Sequence, residues 1–176
     1  PAPSPDDGPS NAEGNGAFPA QAVDRTFDDV PEGVGIEVVA HDLDAPWDVA
    51  FAPDGQRAFV TERDTGVISV LERDGERSTV ATVDVDDAGE GGLLGFAVPP
   101  DGDGSTIYVY ATTATDNRIL TVDVASGDST PVFTDIPKSA IHNGGRIAFG
   151  PDGMLYAGTG DAADPDLSQD PESLAG

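Results

Sequence analysis

Three segments of this chain end in the same corner. Ala50-Phe51-Ala52-Pro53-Asp54-Gly55, Phe96-Ala97-Val98-Pro99-Pro100-Asp101-Gly102 and Ile147-Ala148-Phe149-Gly150-Pro151-Asp152-Gly153 each run from apolar residues into Pro-Asp-Gly. A second apolar run follows each: Arg57-Ala58-Phe59-Val60, Ser105-Thr106-Ile107-Tyr108-Val109 and Met154-Leu155-Tyr156-Ala157. An apolar run that stops at Asp-Gly and restarts reads as a strand and its hairpin partner, because both residues tolerate the backbone angles of a tight turn. The Asp-Gly pairs begin at 54, 101 and 152, spaced 47 and 51 residues apart. A repeat of roughly 40 to 50 residues holding about four strands is the signature of a β-propeller blade.

The rest of the chain agrees. Val67-Ile68-Ser69-Val70-Leu71 and Thr106-Ile107-Tyr108-Val109-Tyr110 are rich in β-branched and aromatic residues. Ile36, Val38 and Ala40 alternate with Glu37, Val39 and His41, and Asp74-Gly75 and Ser126-Gly127 add further turns. No segment carries a sustained helical period with caps, so the predicted class is all-β. About three blades fit between residues 35 and 176, with Phe51, Phe96 and Phe149 at equivalent strand positions. Closure takes about four to eight blades, so the expectation is roughly half a ring, the N-terminal part of a longer protein, over 31–176. Residues 1–30 are Pro-, Gly- and Asp-rich with few apolar side chains. Such a stretch buries too little surface to offset its ordering entropy and reads as a disordered linker.

The charge narrows the partners. There are 33 acidic residues against 8 basic ones, a net charge of −25, and Lys138 is the one lysine. Phosphate contacts need clustered Lys and Arg, so nucleic acid and anionic membrane surfaces are excluded as partners. The acids are scattered along the chain, which points to an acidic surface all round and to a halophilic source, where high salt screens the self-repulsion. There is no cysteine, hence neither a disulfide framework nor a thiolate metal site. No apolar run approaches the roughly 18 residues of a membrane span. Membrane contact is expected only through an anchor ahead of the linker, and the location is expected to be extracytoplasmic.

Ile141-His142-Asn143-Gly144-Gly145-Arg146-Ile147, followed by Thr159-Gly160-Asp161-Ala162, is the candidate site. A histidine oriented by a carboxylate is a general-base pair able to take a proton from an alcohol. A hydrogen-bonded structural histidine fits the same spacing. Trp47, the single Trp, is expected as a core or inter-blade anchor, His41 as an exposed residue, and Tyr108, Tyr110 and Tyr156 as half-buried strand residues. Arg146 has two readings: pairing with a nearby carboxylate or pointing toward the site.

Four motifs in series carry a family resemblance. Ala45-Pro46-Trp47-Asp48-Val49-Ala50-Phe51-Ala52-Pro53-Asp54-Gly55 with Val60-Thr61-Glu62-Arg63, then Glu90-Gly91-Gly92-Leu93-Leu94-Gly95, resemble the opening segments of the soluble quinoprotein glucose/sorbosone dehydrogenases. His142-Asn143-Gly144-Gly145-Arg146 through Thr159-Gly160-Asp161 resembles their catalytic segment, and Asp164-Pro165 to Gln169-Asp170 with Ser173-Leu174-Ala175-Gly176 also fits. The resemblance implies a six-bladed propeller carrying pyrroloquinoline quinone (PQQ) and calcium near its axis. It implies oxidation of an aldose C1 hydroxyl to the lactone, with electrons passing on to an external acceptor. His142 would be the base and Asp161 its orienting partner. Glu90, where some members have Gln, would face cofactor or substrate. Asn143 and Gly144 would lie against the cofactor, with Gly144 and Gly145 clearing side chains from its path. The resemblance puts the cofactor's arginine contacts and the calcium ligands beyond Gly176, so no metal ligand is assigned. Two other readings compete: a non-catalytic propeller scaffold, in which His142 and Asp161 stay apart, and a metal-dependent propeller lactonase, in which carboxylates or Asn converge on one ion.

The charge reading has a direct test. Thermal melts of the protein should rise in midpoint between low and molar KCl, because salt screens the like charges. A midpoint that stays flat or falls would refute the halophilic reading.

Overall fold

The computed structural model describes residues 33–35 and 38–175. The segment 1–30, read as a linker, lies outside them. So do Ile36 and Glu37 of the first expected strand, of which Val38 forms only an isolated bridge. Among the described residues, ten strands form three antiparallel sheets. The first is a meander of β1 (Pro46–Phe51), β2 (Arg57–Glu62), β3 (Val67–Glu72) and β4 (Arg77–Thr82). The second repeats it with β5 (Leu93–Ala97), β6 (Thr106–Thr112), β7 (Asn117–Asp123) and β8 (Ser129–Ile136). The third is the hairpin of β9 (Gly144–Phe149) and β10 (Leu155–Thr159), followed by one turn of 3-10 helix at Leu167–Gln169. The described chain is therefore two complete propeller blades and the first hairpin of a third, somewhat less than the three expected.

The sheets pack through their first strands, with β5 against both β1 and β9. Phe59, Ile68, Leu93, Phe96, Ile107 and Val122 belong to the core that the first two sheets share. Leu94, Tyr110, Ile119, Ile136 and Ile147 form the core between the second and third. Because β5 is covered on both faces, its sequence Leu-Leu-Gly-Phe-Ala is buried throughout and shows no alternation. Gly95 explains how closely β9 approaches: a Cβ there would lie 2.3 Å from the Gly145 carbonyl oxygen.

The three phenylalanines fall on first strands just before the corner, Phe51 and Phe149 as the last residues of β1 and β9 and Phe96 as the next-to-last of β5. Their exposures differ for a physical reason. Phe96 on the central strand is 3% exposed, whereas Phe51, on a strand flanked on one side, is 58% exposed. Phe149 is half-buried and meets Tyr108 edge to face, centroids 5.4 Å apart. Trp47, expected as a core or inter-blade anchor, is exposed on β1, with the Arg63 guanidinium 5.7 Å from its ring. The three tyrosines are not alike: Tyr110 is fully buried, Tyr108 half-buried and Tyr156 exposed. His41 is exposed and bonds Asp42.

One carboxylate joins all three first strands. Asp48 Oδ2 on β1 accepts from the Phe96 N–H on β5 at 3.3 Å and from the Arg146 guanidinium on β9 at 3.1 Å. Of the two readings of Arg146, the structure selects the pairing with a carboxylate.

Gly95 offers a stability test. Gly95→Ala should destabilise the protein by about 1–3 kcal/mol, the usual range for forcing atoms into a packed site. Urea unfolding measures this, and an unchanged midpoint would mean that β5 and β9 separate easily.

Candidate active site

The site lies where the loop from β8 to β9 meets the exit of β10. Six non-glycine residues have left-handed backbone among the described residues, and three of them, His142 (φ 60°), Ala162 (φ 50°) and Ala163 (φ 62°), cluster here. Such conformations persist only where neighbours enforce them. Gly160 makes the approach feasible, since a Cβ there would lie 1.9 Å from the His142 carbonyl oxygen. The Ala162 N–H donates to that same carbonyl at 3.2 Å.

In this geometry His142 Nδ1 lies 2.8 Å from Asp161 Oδ1. The same oxygen accepts the Ala163 N–H at 2.9 Å, so the carboxylate is held before it meets the ring. The hydrogen bond with His142, seconded by the Ala163 N–H, holds the Asp161 carboxyl below its ordinary range. A carboxylate on Nδ1 selects the tautomer with the proton there and leaves Nε2 as the basic nitrogen. The imidazole is about half exposed, and Nε2 has no hydrogen-bond partner among the described residues. The pair is bonded, where the scaffold reading expected separation.

Glu90, in the loop before β5, is brought to the same place. Its N–H donates to the Ala140 carbonyl at 2.8 Å, and its Oε2 accepts the His142 N–H at 2.7 Å. Gly89 permits this contact, as a Cβ there would come within 2.0 Å of the Ala140 carbonyl oxygen. The sequence reading placed Glu90 toward a ligand and missed this clasp between loops of adjacent blades.

The structure shows what Asn143 and the two glycines meet within the protein. Asn143 has its amide engaged by its own chain. It is 2% exposed, its Oδ1 accepts from Asn117 and from the Ser139 N–H, and its Nδ2 donates to the Ser139 carbonyl. Gly144 and Gly145 leave room for neighbouring strands. A Cβ on Gly144 would lie 2.6 Å from the Gly158 carbonyl oxygen, and one on Gly145 would lie 2.7 Å from the Leu94 side chain. In each case the vacancy that the missing side chain leaves is filled by a neighbouring strand.

The cations nearby are engaged. Lys138 bonds Asp86 and the Thr113 carbonyl, Arg63 bonds Asp64, and Arg146 bonds Asp48. Among the described residues, no three His, Asp or Glu side chains are grouped to hold a metal ion.

The arc of blades and the histidine–carboxylate pair at the rim of the third sheet define a β-propeller protein with a candidate proton-transfer site. A sequence profile described as Glucose / Sorbosone dehydrogenase matches residues 43–176. The chain belongs to that family. It is 29% identical over 160 residues to the aldose sugar dehydrogenase YliI of Escherichia coli (strain K12), covering 83% of this chain and 43% of that protein. It is 32% identical over 145 residues to quinoprotein glucose dehydrogenase B of Acinetobacter calcoaceticus, covering 71% and 30% respectively. The PQQ-bound structure of an aldose sugar dehydrogenase from Streptomyces coelicolor superposes with a TM-score of 0.72 at 41% identity, over 91% of this chain and 48% of that one. The chain thus spans less than half the length of the curated relatives it matches.

The His142–Asp161 bond sets a titration. A carboxyl depressed in the folded state contributes stability above its unfolded value, about pH 4, and loses it as pH falls through the folded value. His142→Ala should move the Asp161 midpoint up toward that of an ordinary aspartate, read by carboxyl carbon NMR. An unchanged midpoint would mean that the backbone N–H groups of Ala163 and Asp161 lower it without the ring.

Proposed function

We propose that this chain supplies the base-bearing part of a PQQ-dependent aldose dehydrogenase, which oxidises a sugar C1 hydroxyl to the lactone. The observation that carries the reading is the His142–Asp161 pair, with Nδ1 engaged, the imidazole about half exposed and Nε2 without a hydrogen-bond partner among the described residues. Family membership and the PQQ-bound and quinoprotein relatives support the chemical class. PQQ, when bound, supplies an electrophilic quinone carbonyl that accepts hydride.

The residues here perform the proton half of that chemistry. His142 Nε2 takes the proton of the C1 hydroxyl, and the Asp161 carboxylate holds the ring and stabilises its charged form. Glu90 fixes the backbone that carries the ring. The donor set fits the base but not the whole cofactor. PQQ is a tricarboxylate, and the cations near the site are already bonded to Asp86, Asp64 and Asp48. The family resemblance implies that the charge-balancing contacts and the calcium ligands come from further blades of the full-length protein. An extracytoplasmic location and an external electron acceptor complete the proposal.

In the full-length protein, His142→Ala should lower kcat for aldose oxidation about 10²-fold or more, since a positioned general base contributes about 10² to 10⁴. PQQ binding should survive, because the base acts on the substrate hydroxyl. Dye-coupled assays and PQQ titration check both. Full turnover by His142→Ala with PQQ bound would remove the base assignment.

A further inference from the structure

Bonded to the loop that carries His142 is a set of buried polar groups that the proton transfer does not use. Asn117 and Tyr110 are 0% exposed, Thr112 is 1% and Asn143 is 2% exposed. Buried polar groups are tolerated only when bonded, and here every one of them is bonded. Thr112 donates to Asn117 Oδ1 at 2.7 Å. Asn117 Nδ2 donates to the Pro137 carbonyl at 2.7 Å and to Asn143 Oδ1 at 3.1 Å. Asn143 closes a ring on Ser139, accepting its N–H at 3.0 Å and donating to its carbonyl at 2.8 Å. The Tyr110 hydroxyl donates to the Asn143 carbonyl at 2.9 Å.

The directions of these bonds are fixed from the backbone. The Ser139 N–H and carbonyl determine which end of the Asn143 amide is oxygen, and that oxygen in turn requires the Asn117 NH₂. Burial pushes the Tyr110 phenol above its ordinary value, so it stays a donor. All the anchored atoms lie in the segment from Pro137 to Asn143, which delivers His142. Asn117 begins β7 of the second sheet, so it ties that blade to the base-bearing turn of the next.

We propose that Asn117, acting through Asn143 and assisted by Tyr110, is a positioning residue that holds His142 in its left-handed conformation and its ring on Asp161. An asparagine amide supplies what the position uses, one acceptor for Thr112 and two donors for carbonyl oxygens. The inference rests on the base role given to His142 above, and its test separates the two.

The test uses Tyr110→Phe, which removes one hydroxyl and keeps the ring, and Asn117→Ala, in the full-length protein with and without His142→Ala. Asn117→Ala should lower kcat by about 10-fold or more, approaching the 10² that a misplacement of about 1 Å can cost, with KM little changed. Tyr110→Phe should do the same to a smaller degree, and it carries the test if Asn117→Ala does not fold. With His142→Ala already present, neither change should lower the residual rate further. Equal losses in both backgrounds would make the network merely structural and overturn the proposal. The second readout is hydrogen exchange of the His142 Nδ1 proton by NMR, which requires no turnover. Faster exchange in either variant supports the positioning role even where the protein oxidises no sugar, an outcome that would sink the dehydrogenase reading alone. Wild-type exchange in both variants overturns the positioning role.

Discussion

Leu93 and Leu94 are neighbours in sequence, yet each is buried in a different core, one on either face of β5. This double burial sets the geometry of the rest. With a blade on each side of β5, the starts of β5 and β9 lie close together, and the loops that precede them meet. One loop carries Glu90 and the other carries His142, which is why residues 52 positions apart share a hydrogen bond. The Asp48 carboxylate reinforces the same arrangement lower down, where it joins three first strands. The site is thus a product of blade packing, and its residues need no proximity in sequence.

The acidic residues have a second role that net charge does not reveal. Asp54, Asp74, Asp103 and Asp152 each accept the N–H two residues ahead in a turn. The Ser105 side chain and N–H hold Asp103 below the ordinary carboxyl range, and the Met154 N–H and Tyr156 hydroxyl do the same for Asp152. An Asx turn satisfies a backbone donor that would otherwise need water. Many of the carboxylates that make the surface acidic therefore also shape the corners of the blades. Screening by salt weakens their mutual repulsion while leaving these short local bonds largely intact.

The repeat at residues 54, 101 and 152 was enough to read the blades, because each corner is local chemistry written in contiguous residues. The His142–Asp161 contact was legible for the same reason, since it spans a single hairpin. Burial was harder to read. Phe51 and Phe96 occupy matching corners, but only the structure shows which strand has a blade on both sides. The glycines said less, because a missing side chain marks a close approach without naming what approaches. At Gly144 it is the backbone of β10. Asn117 gave no signal at all: one polar residue at a strand end looks like any turn residue until Asn143 is brought beside it across 26 positions.

The meander topology also orders events during synthesis. Each of the first two sheets is built from contiguous sequence, β1 to β4 and then β5 to β8, so its strands pair with neighbours made moments earlier. The Asp48–Arg146 bond, by contrast, links residues 98 positions apart and waits for β9. His142 precedes β9 and Asp161 follows β10, so the ring finds its carboxylate only after the third hairpin has closed. A ribosome that paused between the second and third sheets would hold Glu90 without the Ala140 and His142 partners that fix it.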